Sequence, residues 1–257
     1  MSGGKKEILL GDCLELMKDI PNGSIDMILC DLPYGTTACK WDTIIPFDKL
    51  WEQYERIIKP NGAIVLTASQ PFTSALIMSN IKMFKYEIIW EKSVPSNPLL
   101  CKIQPLKYHE NICVFSKNKI TYNPQMQPKK AENKRNNNQS ITMQNRGVFG
   151  NTIMKASDGN KDFIYPKSII PFTRQTGLHP TQKPVALFEY LIKTYTNEGE
   201  LILDNCAGSG TTAIACLNTK RQFIVMEKEQ KYYDIILKRV GDFNKNFETQ
   251  TLFGNEM

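Results

Sequence analysis

Asp31-Leu32-Pro33-Tyr34 directly follows Ile25–Cys30, a largely apolar stretch of the kind that forms a buried strand. An acid, a proline and an aromatic ring thus stand where a buried strand ends. In open α/β sheets, ligands bind at that carboxyl edge. Pro33 rigidifies the turn and biases Leu32 to extended backbone. The Asp31 carboxylate and the Leu32 carbonyl can then face the same way as two acceptors, beside the flat face of Tyr34. Two acceptors and a stacking ring suit an exocyclic amine on a planar base. Such an amine is a weak nucleophile, because its lone pair is delocalised into the ring. Holding its N–H bonds on acceptors favours a tetrahedral, attacking geometry and stabilises charge developing on nitrogen. The remaining task is to place an electrophile in line, and no protein nucleophile or metal is required. A base inside a duplex must first be extruded, at a cost of a few kcal/mol. Stacking on Tyr34 returns about 1–3 kcal/mol. Taken alone, the string also fits an ordinary turn with a buried tyrosine.

A second constellation lies near the C-terminus. Leu201–Asp204, Asn205-Cys206-Ala207-Gly208-Ser209-Gly210 and Thr211-Thr212 read as a strand, a tight glycine loop and a helix start. Glycines let backbone approach a ligand closely, and Thr211 or Thr212 can cap the helix. The next strand, Gln222–Met226, ends at Glu227, where an acid can accept both hydroxyls of a ribose. Three nucleotide readings compete. A phosphate loop needs a lysine after its last glycine, and Thr211 stands there, which sets ATP and GTP aside. A dinucleotide loop wants a third glycine, and Ala213 takes that place. S-adenosylmethionine carries a ribose and an adenine but no phosphate, and its cationic amino-acid end suits Asp204. The bland alternative is a simple glycine turn.

These residues need elements to carry them. Apolar runs at Glu7–Leu10, Ile25–Cys30, Ala63–Ala68, Tyr86–Trp90, Ile112–Phe115, Leu201–Leu203 and Gln222–Met226 read as strands. Between them, Asp12–Lys18, Phe47–Lys59, Pro71–Ile81, Pro184–Tyr195, Thr211–Leu217 and Gln230–Val240 read as helices, with Pro60-Asn61-Gly62 as a stop. Nearly continuous apolar strands alternating with amphipathic helices predict a doubly wound, mostly parallel α/β sheet of Rossmann-like type. Residues 117–168 sustain no period and are too long for an ordinary loop, so they read as an inserted module.

The chain has 257 residues with a formal net charge of +6, and its 41% hydrophobic and 23% charged content excludes a disordered chain or a fibre. The charge is unevenly placed. Residues 117–174 hold eleven Lys/Arg and three acids, a net +8, which leaves the rest at −2. A basic segment in a near-neutral body points to a polyanion, although a solvated loop fits the charge alone equally well. No apolar run is long enough to cross a bilayer, and no secretory signal is visible. Seven cysteines without a CxxC pair read as reduced, mostly buried thiols of a cytoplasmic protein. With His109 and His179 the only histidines, a zinc site has few possible ligands. No metal is expected.

The glycine loop and the tetrapeptide together resemble the amino-methyltransferases of DNA, which make N6-methyladenine or N4-methylcytosine. That family's catalytic string is Asp, Asn or Ser, then two prolines and an aromatic residue; here Leu32 replaces the first proline, a position thought to act through its carbonyl. Its glycine motif is often D-P-F-x-G-S-G; here Asn205 and Cys206 replace Pro and Phe. The tetrapeptide precedes the loop by about 170 residues with the basic segment between. This resembles the β class, a circularly permuted order with the target-recognition region in the middle. His179-Pro-Thr-Gln-Lys183-Pro184 resembles that class's cofactor-flanking motif, and Gly11-Asp12 the segment whose acid faces the cofactor adenine. Thr67–Pro71, Trp90-Glu91-Lys92 and His109-Glu110 also resemble family segments; on its own, Trp90 reads as core and Lys92 as a solvated strand end.

The resemblance implies a catalytic half over 1–116, a recognition insertion over 117–174 and a cofactor half over 175–257. It implies S-adenosylmethionine as cofactor. Asp12, Cys30, Thr181, Lys183, Asp204, Asn205, Cys206, Ala207, Gly208, Gly210, Thr211 and Glu227 would bind it. Catalysis falls to Asp31, Leu32, Pro33 and Tyr34. Double-stranded DNA is the implied partner, met by Lys129, Lys130, Lys134, Arg135, Arg146 and Lys155. A homodimer and a place in restriction–modification are implied by resemblance only. The Asp form of the tetrapeptide is commoner among adenine-N6 enzymes, so adenine is preferred over cytosine-N4. Methylation of RNA or of a protein glutamine, a catalytically inactive nucleic-acid-binding module and a nicotinamide oxidoreductase are the rivals.

Overall fold

The run that begins at Ile25 has no polar face because both of its faces are covered. Ile25, Ile28 and Cys30 enter one core, and Met27 and Leu29 the other. Alternation over 27–30 is the strand period of two. The step between Ile25 and Met27 is irregular because four residues of the neighbouring strand are passed over there. The computed structural model describes residues 4–36, 39, 42–129, 162–175, 177 and 182–253, with side chains as far as residue 245. It divides into two compact units, residues 1–123 with 168–257, and residues 124–167.

In the first unit the chain runs β1 (Lys6–Leu10), α1 (Cys13–Leu16), β2 (Ile25–Asp31), α2 (Phe47–Ile57), β3 (Ile58–Ala68), α3 (Phe72–Ser79), β4 (Phe84–Lys92) and β5 (His109–Phe115). In the second unit β6 (Gln127–Pro128) pairs antiparallel with β7 (Phe163–Ile164). The first unit resumes with β8 (Ile169–Phe172), α4 (Val185–Tyr195), β9 (Leu201–Asp204), α5 (Thr211–Asn218), β10 (Gln222–Glu227) and α6 (Gln230–Phe253). Its eight strands form one sheet in the order β1-β10-β9-β2-β3-β5-β4-β8. Only β5 runs against its neighbours β3 and β4. The doubly wound, mostly parallel sheet expected from the strand pattern is what forms.

Helices cover both faces. α2 turns Leu50, Trp51, Tyr54 and Ile57 into one core, together with Phe72 and Leu76 of α3. α4 turns Leu187, Phe188, Leu191, Ile192 and Tyr195 into the other, together with Ala213, Ala215 and Cys216 of α5. Each such aliphatic or aromatic side chain, fully buried, contributes about 1.5–3 kcal/mol of transfer free energy. Among the described residues no helix is long and apolar enough to cross a membrane.

The two halves of the chain meet at the centre of the sheet. Met27 and Ile28 of β2 pair with Ile202 and Leu203 of β9. From β2 the chain continues through α2 on one face, and from β9 through α5 on the other. Adjacent strands whose connections part to opposite faces leave a crevice at their carboxyl ends. Asp31 ends β2 and Asp204 ends β9.

Several elements depart from the sequence reading. Pro60-Asn61-Gly62 does not separate helix from strand, because β3 already starts at Ile58, which pairs with Ile25. The proline and its neighbours lie opposite Asp26 as an irregularity within the ladder. Asp12–Lys18 is a short helix continued by a 3₁₀ turn over Met17–Asp19. Lys92 is no solvated strand end but buried. β8 falls within 117–174 yet joins the main sheet beside β4, where Ile170 is buried. Cys30, Cys113 and Cys216 are buried and Cys13 and Cys206 half-buried, whereas Cys39 and Cys101 are exposed.

Candidate active site

A cavity of about 700 Å³ opens at the crevice. Its wall includes Asp31, Leu32, Pro33 and Tyr34 from the β2 end, and Asp204 through Gly208 with Thr211 from the β9 end. Asp12, Lys183 and Glu227 complete the set of expected residues found there. Cys30 and Gly210 are not on the wall. Cys30 lies in the core, where burial pushes its thiol up to about 12, so it is a packed, neutral group. Thr181, Lys130, Lys134, Arg135, Arg146 and Lys155 fall outside the described residues. Lys129 belongs to the second unit, where its amide donates to the Asp162 carbonyl at 2.7 Å.

Asp31 is held from several sides. Its Oδ1 accepts the Tyr34 hydroxyl at 2.7 Å and also the Thr67 hydroxyl. Its Oδ2 accepts Lys183 Nζ at 2.6 Å. Thr67 reaches it because β3 pairs with β2 in register, Asp31 against Thr67. The Tyr34 ring stacks on Phe72, with centroids 5.1 Å apart and planes at 29°. The acceptor and the ring expected at the strand end are therefore fixed in place before any ligand arrives. Leu32 packs its side chain into the core, so only its backbone is left for the cavity. Asp42 accepts the amides of Gly35 and Thr36 at 2.9 Å each, which ties down the turn after Tyr34.

Lys183 is 6% exposed and bridges two carboxylates, since Glu110 Oε2 lies 3.4 Å from its Nζ. Glu110 in turn meets Lys92 Nζ at 3.0 Å. Burial alone would raise Glu110, but the ammonium groups of Lys183 and Lys92 outweigh it and hold the carboxyl below its ordinary value. Burial likewise would lower Lys183, and Asp31 and Glu110 outweigh it to hold the ammonium above its ordinary value. The result is an alternating row of charges, Asp31, Lys183, Glu110 and Lys92, along one side of the cavity. Thr67, Glu110 and Lys92 carry no role in the sequence reading. Their only signal there is that their segments resemble family segments.

The glycine loop is built differently from its expectation. Gly210 precedes α5 in the left-handed region at φ +80°, and no side chain caps the helix. The backbone there favours glycine, and a Cβ on Gly210 would also press on the Ile236 side chain at 3.0 Å. The threonines do other work. Thr211 donates to the Lys183 carbonyl at 3.3 Å, and Thr212 donates to Asp204 Oδ2. Asp204 Oδ1 accepts the Cys206 amide at 3.0 Å. Asp204 is thus buried with both oxygens engaged, and burial pushes its carboxyl up to about 6 against those hydrogen bonds. Asn205 Oδ1 accepts the Tyr54 hydroxyl at 2.5 Å, tying the loop to α2.

Glu227 stands at the tip of β10. Its Oε2 accepts the Gly208 amide at 2.7 Å, and its Oε1 accepts the amides of Lys228 and Glu229 at 2.9 Å. Burial raises its carboxyl, and the three amides oppose the rise. Asp12 caps α1 by accepting the Leu14 amide at 2.9 Å. Gly11 donates to the Glu227 carbonyl at 2.9 Å, which brings the acid of β10 and the turn after β1 together.

Comparison with known proteins bears on this geometry. The DNA methylase family matches residues 25–238. The Type II methyltransferase M.HinfI of Haemophilus influenzae is 28% identical over 268 residues, spanning 93% of this chain and 69% of that protein. Among solved structures, the M1.HpyAVI–SAM complex superposes with a TM-score of 0.62 at 26% identity, covering 91% of this chain and 98% of the other. The cytosine-N4-specific PvuII DNA methyltransferase has a TM-score of 0.64 at 16% identity, covering 91% and 86%, a likeness of fold.

Proposed function

This chain belongs to the DNA methylase family, and on that premise we propose that it transfers a methyl group to the N6 amine of adenine in double-stranded DNA. The observation that carries the reading is the fixed Asp31 carboxylate at the mouth of the β2–β9 crevice, with the Tyr34 ring beside it.

The cofactor is S-adenosylmethionine, and the residues present fit it. A cavity of about 700 Å³ lies within the range of about 300–1,000 Å³ for small-molecule sites. Gly208, at φ +53°, lets backbone line the wall closely. Glu227 keeps a carboxylate at the strand tip for ribose hydroxyls, and Asp12 stands nearby for the adenine. Lys183, Asn205, Cys206, Ala207 and Thr211 complete the wall on which the rest of the molecule would lie, with Thr181 expected beside Lys183. Asp204 serves by holding the loop in shape rather than by offering a free oxygen. When bound, S-adenosylmethionine supplies a methyl group on a sulfonium centre, an electrophile that needs no protein nucleophile.

Asp31 and the Leu32 carbonyl accept the two N–H bonds of the target amine. To do so, Asp31 must exchange one of its present donors, Tyr34, Thr67 or Lys183, for the incoming N–H. Tyr34, backed by Phe72, presents a ring for the extruded base to stack on. The proton lost by the amine passes to the Asp31 carboxylate. Pro33 keeps the Leu32 backbone extended. The basic residues of 117–174, between the catalytic and cofactor halves, clamp or read the duplex, with affinity that falls as salt rises.

The test is incubation with labelled S-adenosylmethionine and unmodified genomic DNA, followed by digestion to nucleosides and mass spectrometry. N6-methyladenine is the expected product. N4-methylcytosine alone would overturn the choice of base. Label appearing in RNA or protein but not in DNA would overturn the substrate.

A further inference from the structure

The loop joining β4 to β5, residues 93–108, stands at the catalytic edge of the sheet. β5 runs antiparallel to β3, with Ile112 against Thr67, and Thr67 is in register with Asp31. The feet of the loop are tied to the cavity wall. Ser96 accepts Lys92 Nζ, and Lys107 Nζ donates to Ser69, and Ser69, Lys92 and Ser96 all line the cavity. The stem is braced by the Ser96 amide on the Lys107 carbonyl at 3.0 Å and the Lys107 amide on Asn97 Oδ1 at 2.6 Å. At the tip, the amides of Ile103 and Gln104 both donate to the Leu100 carbonyl at 3.0 Å. On this ordered tip, Leu99 is 94% exposed and Ile103 79% exposed, with Leu100 and Leu106 also exposed.

Single exposed aliphatics are ordinary, but four on one braced tip form a patch that calls for a partner. The segment 93–108 contains no acid, and it carries Lys102 and Lys107. Apolar side chains with the Lys102 cation among them match a gap between stacked bases flanked by phosphates. A base that enters the crevice leaves such a gap behind it. We propose that the tip, led by Leu99 and Ile103, inserts into duplex DNA and fills the space that the extruded target base vacates. This rests on the reading of the protein as a DNA methyltransferase. Its effect is to lower the cost of extrusion, not to touch the reacting atoms.

The experiment uses the full chain, wild type and Leu99→Ala/Ile103→Ala, with labelled S-adenosylmethionine. The probes are two duplexes carrying the sequence that methylation sequencing identifies, one with the target base paired and one with it facing an abasic site. The double variant should lose about tenfold or more in transfer rate on the paired duplex, where extrusion is costly, and stay within about twofold of wild type opposite the abasic site. Two-aminopurine at the target position should brighten less with the variant on the paired duplex. Equal loss on both duplexes, or no loss on either, overturns the proposal while leaving the methyltransferase reading in place. So does a uniform loss accompanied by dissociation of a dimer in light scattering, which would make the patch a contact with a second copy. Failure of the wild type to label any DNA overturns the methyltransferase reading itself, and this proposal with it.

Discussion

Replacing Lys183 by methionine removes the cation between Asp31 and Glu110 while keeping a side chain of similar length. Lys183 Nζ is 2.6 Å from Asp31 Oδ2 and 3.4 Å from Glu110 Oε2, and its side chain is 6% exposed. At an effective dielectric of about 20 these two attractions are roughly 6 and 5 kcal/mol before desolvation is counted. Taking the ions out of water cancels most of that, and removing one partner of a buried pair typically costs about 3–5 kcal/mol. Asp31 keeps 21% exposure and Glu110 retains Lys92 at 3.0 Å, so a loss of about 3 kcal/mol is expected at pH 8. The pH dependence has a definite sign. Glu110 is held below its ordinary 4.5, so its share of stability is present above that value and is lost as pH falls through the depressed one. Lys183 is held above its ordinary 10.5, so its share is present below that value and is lost as pH rises through the raised one. The gap between wild type and variant should therefore be flat between these limits and narrow toward acid. Urea unfolding followed by circular dichroism at a series of pH values measures it. Combining Lys183→Met with Glu110→Gln should cost less than the two changes summed, by about 1–2 kcal/mol. A loss under about 1 kcal/mol, or a gap that widens toward acid, would refute the view that this row of charges holds the catalytic edge together.

Asp31→Ala should abolish methyl transfer yet leave S-adenosylmethionine affinity within a few-fold by calorimetry; lost cofactor binding with a measurable rate would reverse the roles. Tyr34→Ala should reduce the 2-aminopurine signal of base capture more than cofactor affinity, because it removes the ring stacked on Phe72; an unchanged signal counts against stacking. Asp204→Asn should gain on wild type as pH rises. The buried carboxyl is raised from 3.8 to about 6, so the proton it holds favours the fold below 3.8, and that contribution disappears as pH rises to about 6. The relative gain is at most roughly 3 kcal/mol across that window. A difference between the two proteins that does not change from pH 4 to pH 7 would show that Asp204 is not buried in this way.

The two chemical half-sites were legible because each is a short string with local logic. Asp31-Leu32-Pro33-Tyr34 follows the apolar residues Met27–Cys30, and Gly208 and Gly210 follow the apolar Leu201–Leu203 at a short distance. Such strings need no knowledge of the fold to be read as strand ends. Lys92 and Glu110 were not legible in the same way. They lie eighteen residues apart on antiparallel strands, and their pairing depends on the register of β4 with β5. Pro60-Asn61-Gly62 misled for a related reason. Local turn chemistry predicts a break, but the ladder between Ile58 and Ile25 starts before it and absorbs it as an irregularity. The capping expected of Thr211 and Thr212 failed because Gly210 takes the N-cap position, which leaves both threonines inside the helix, where their hydroxyls donate to the Lys183 carbonyl and to Asp204.

By itself the sequence determined the sheet class, the order of its halves and the residue types at both strand ends, since burial on two faces leaves apolar runs and a glycine turn leaves glycines. Only the tertiary structure decided what those ends face. β2 and β9 are neighbours although Asp31 and Asp204 stand far apart in the chain, and their connections leave to opposite faces. That arrangement makes the crevice and brings Lys183 to Asp31. It also distinguishes Asp31, part-exposed and held by side chains from distant segments, from Asp204, which is buried and held by the loop and helix that directly follow it. Distance along the chain carries no information about which charges share a low-dielectric site; the pairing of strands supplies it.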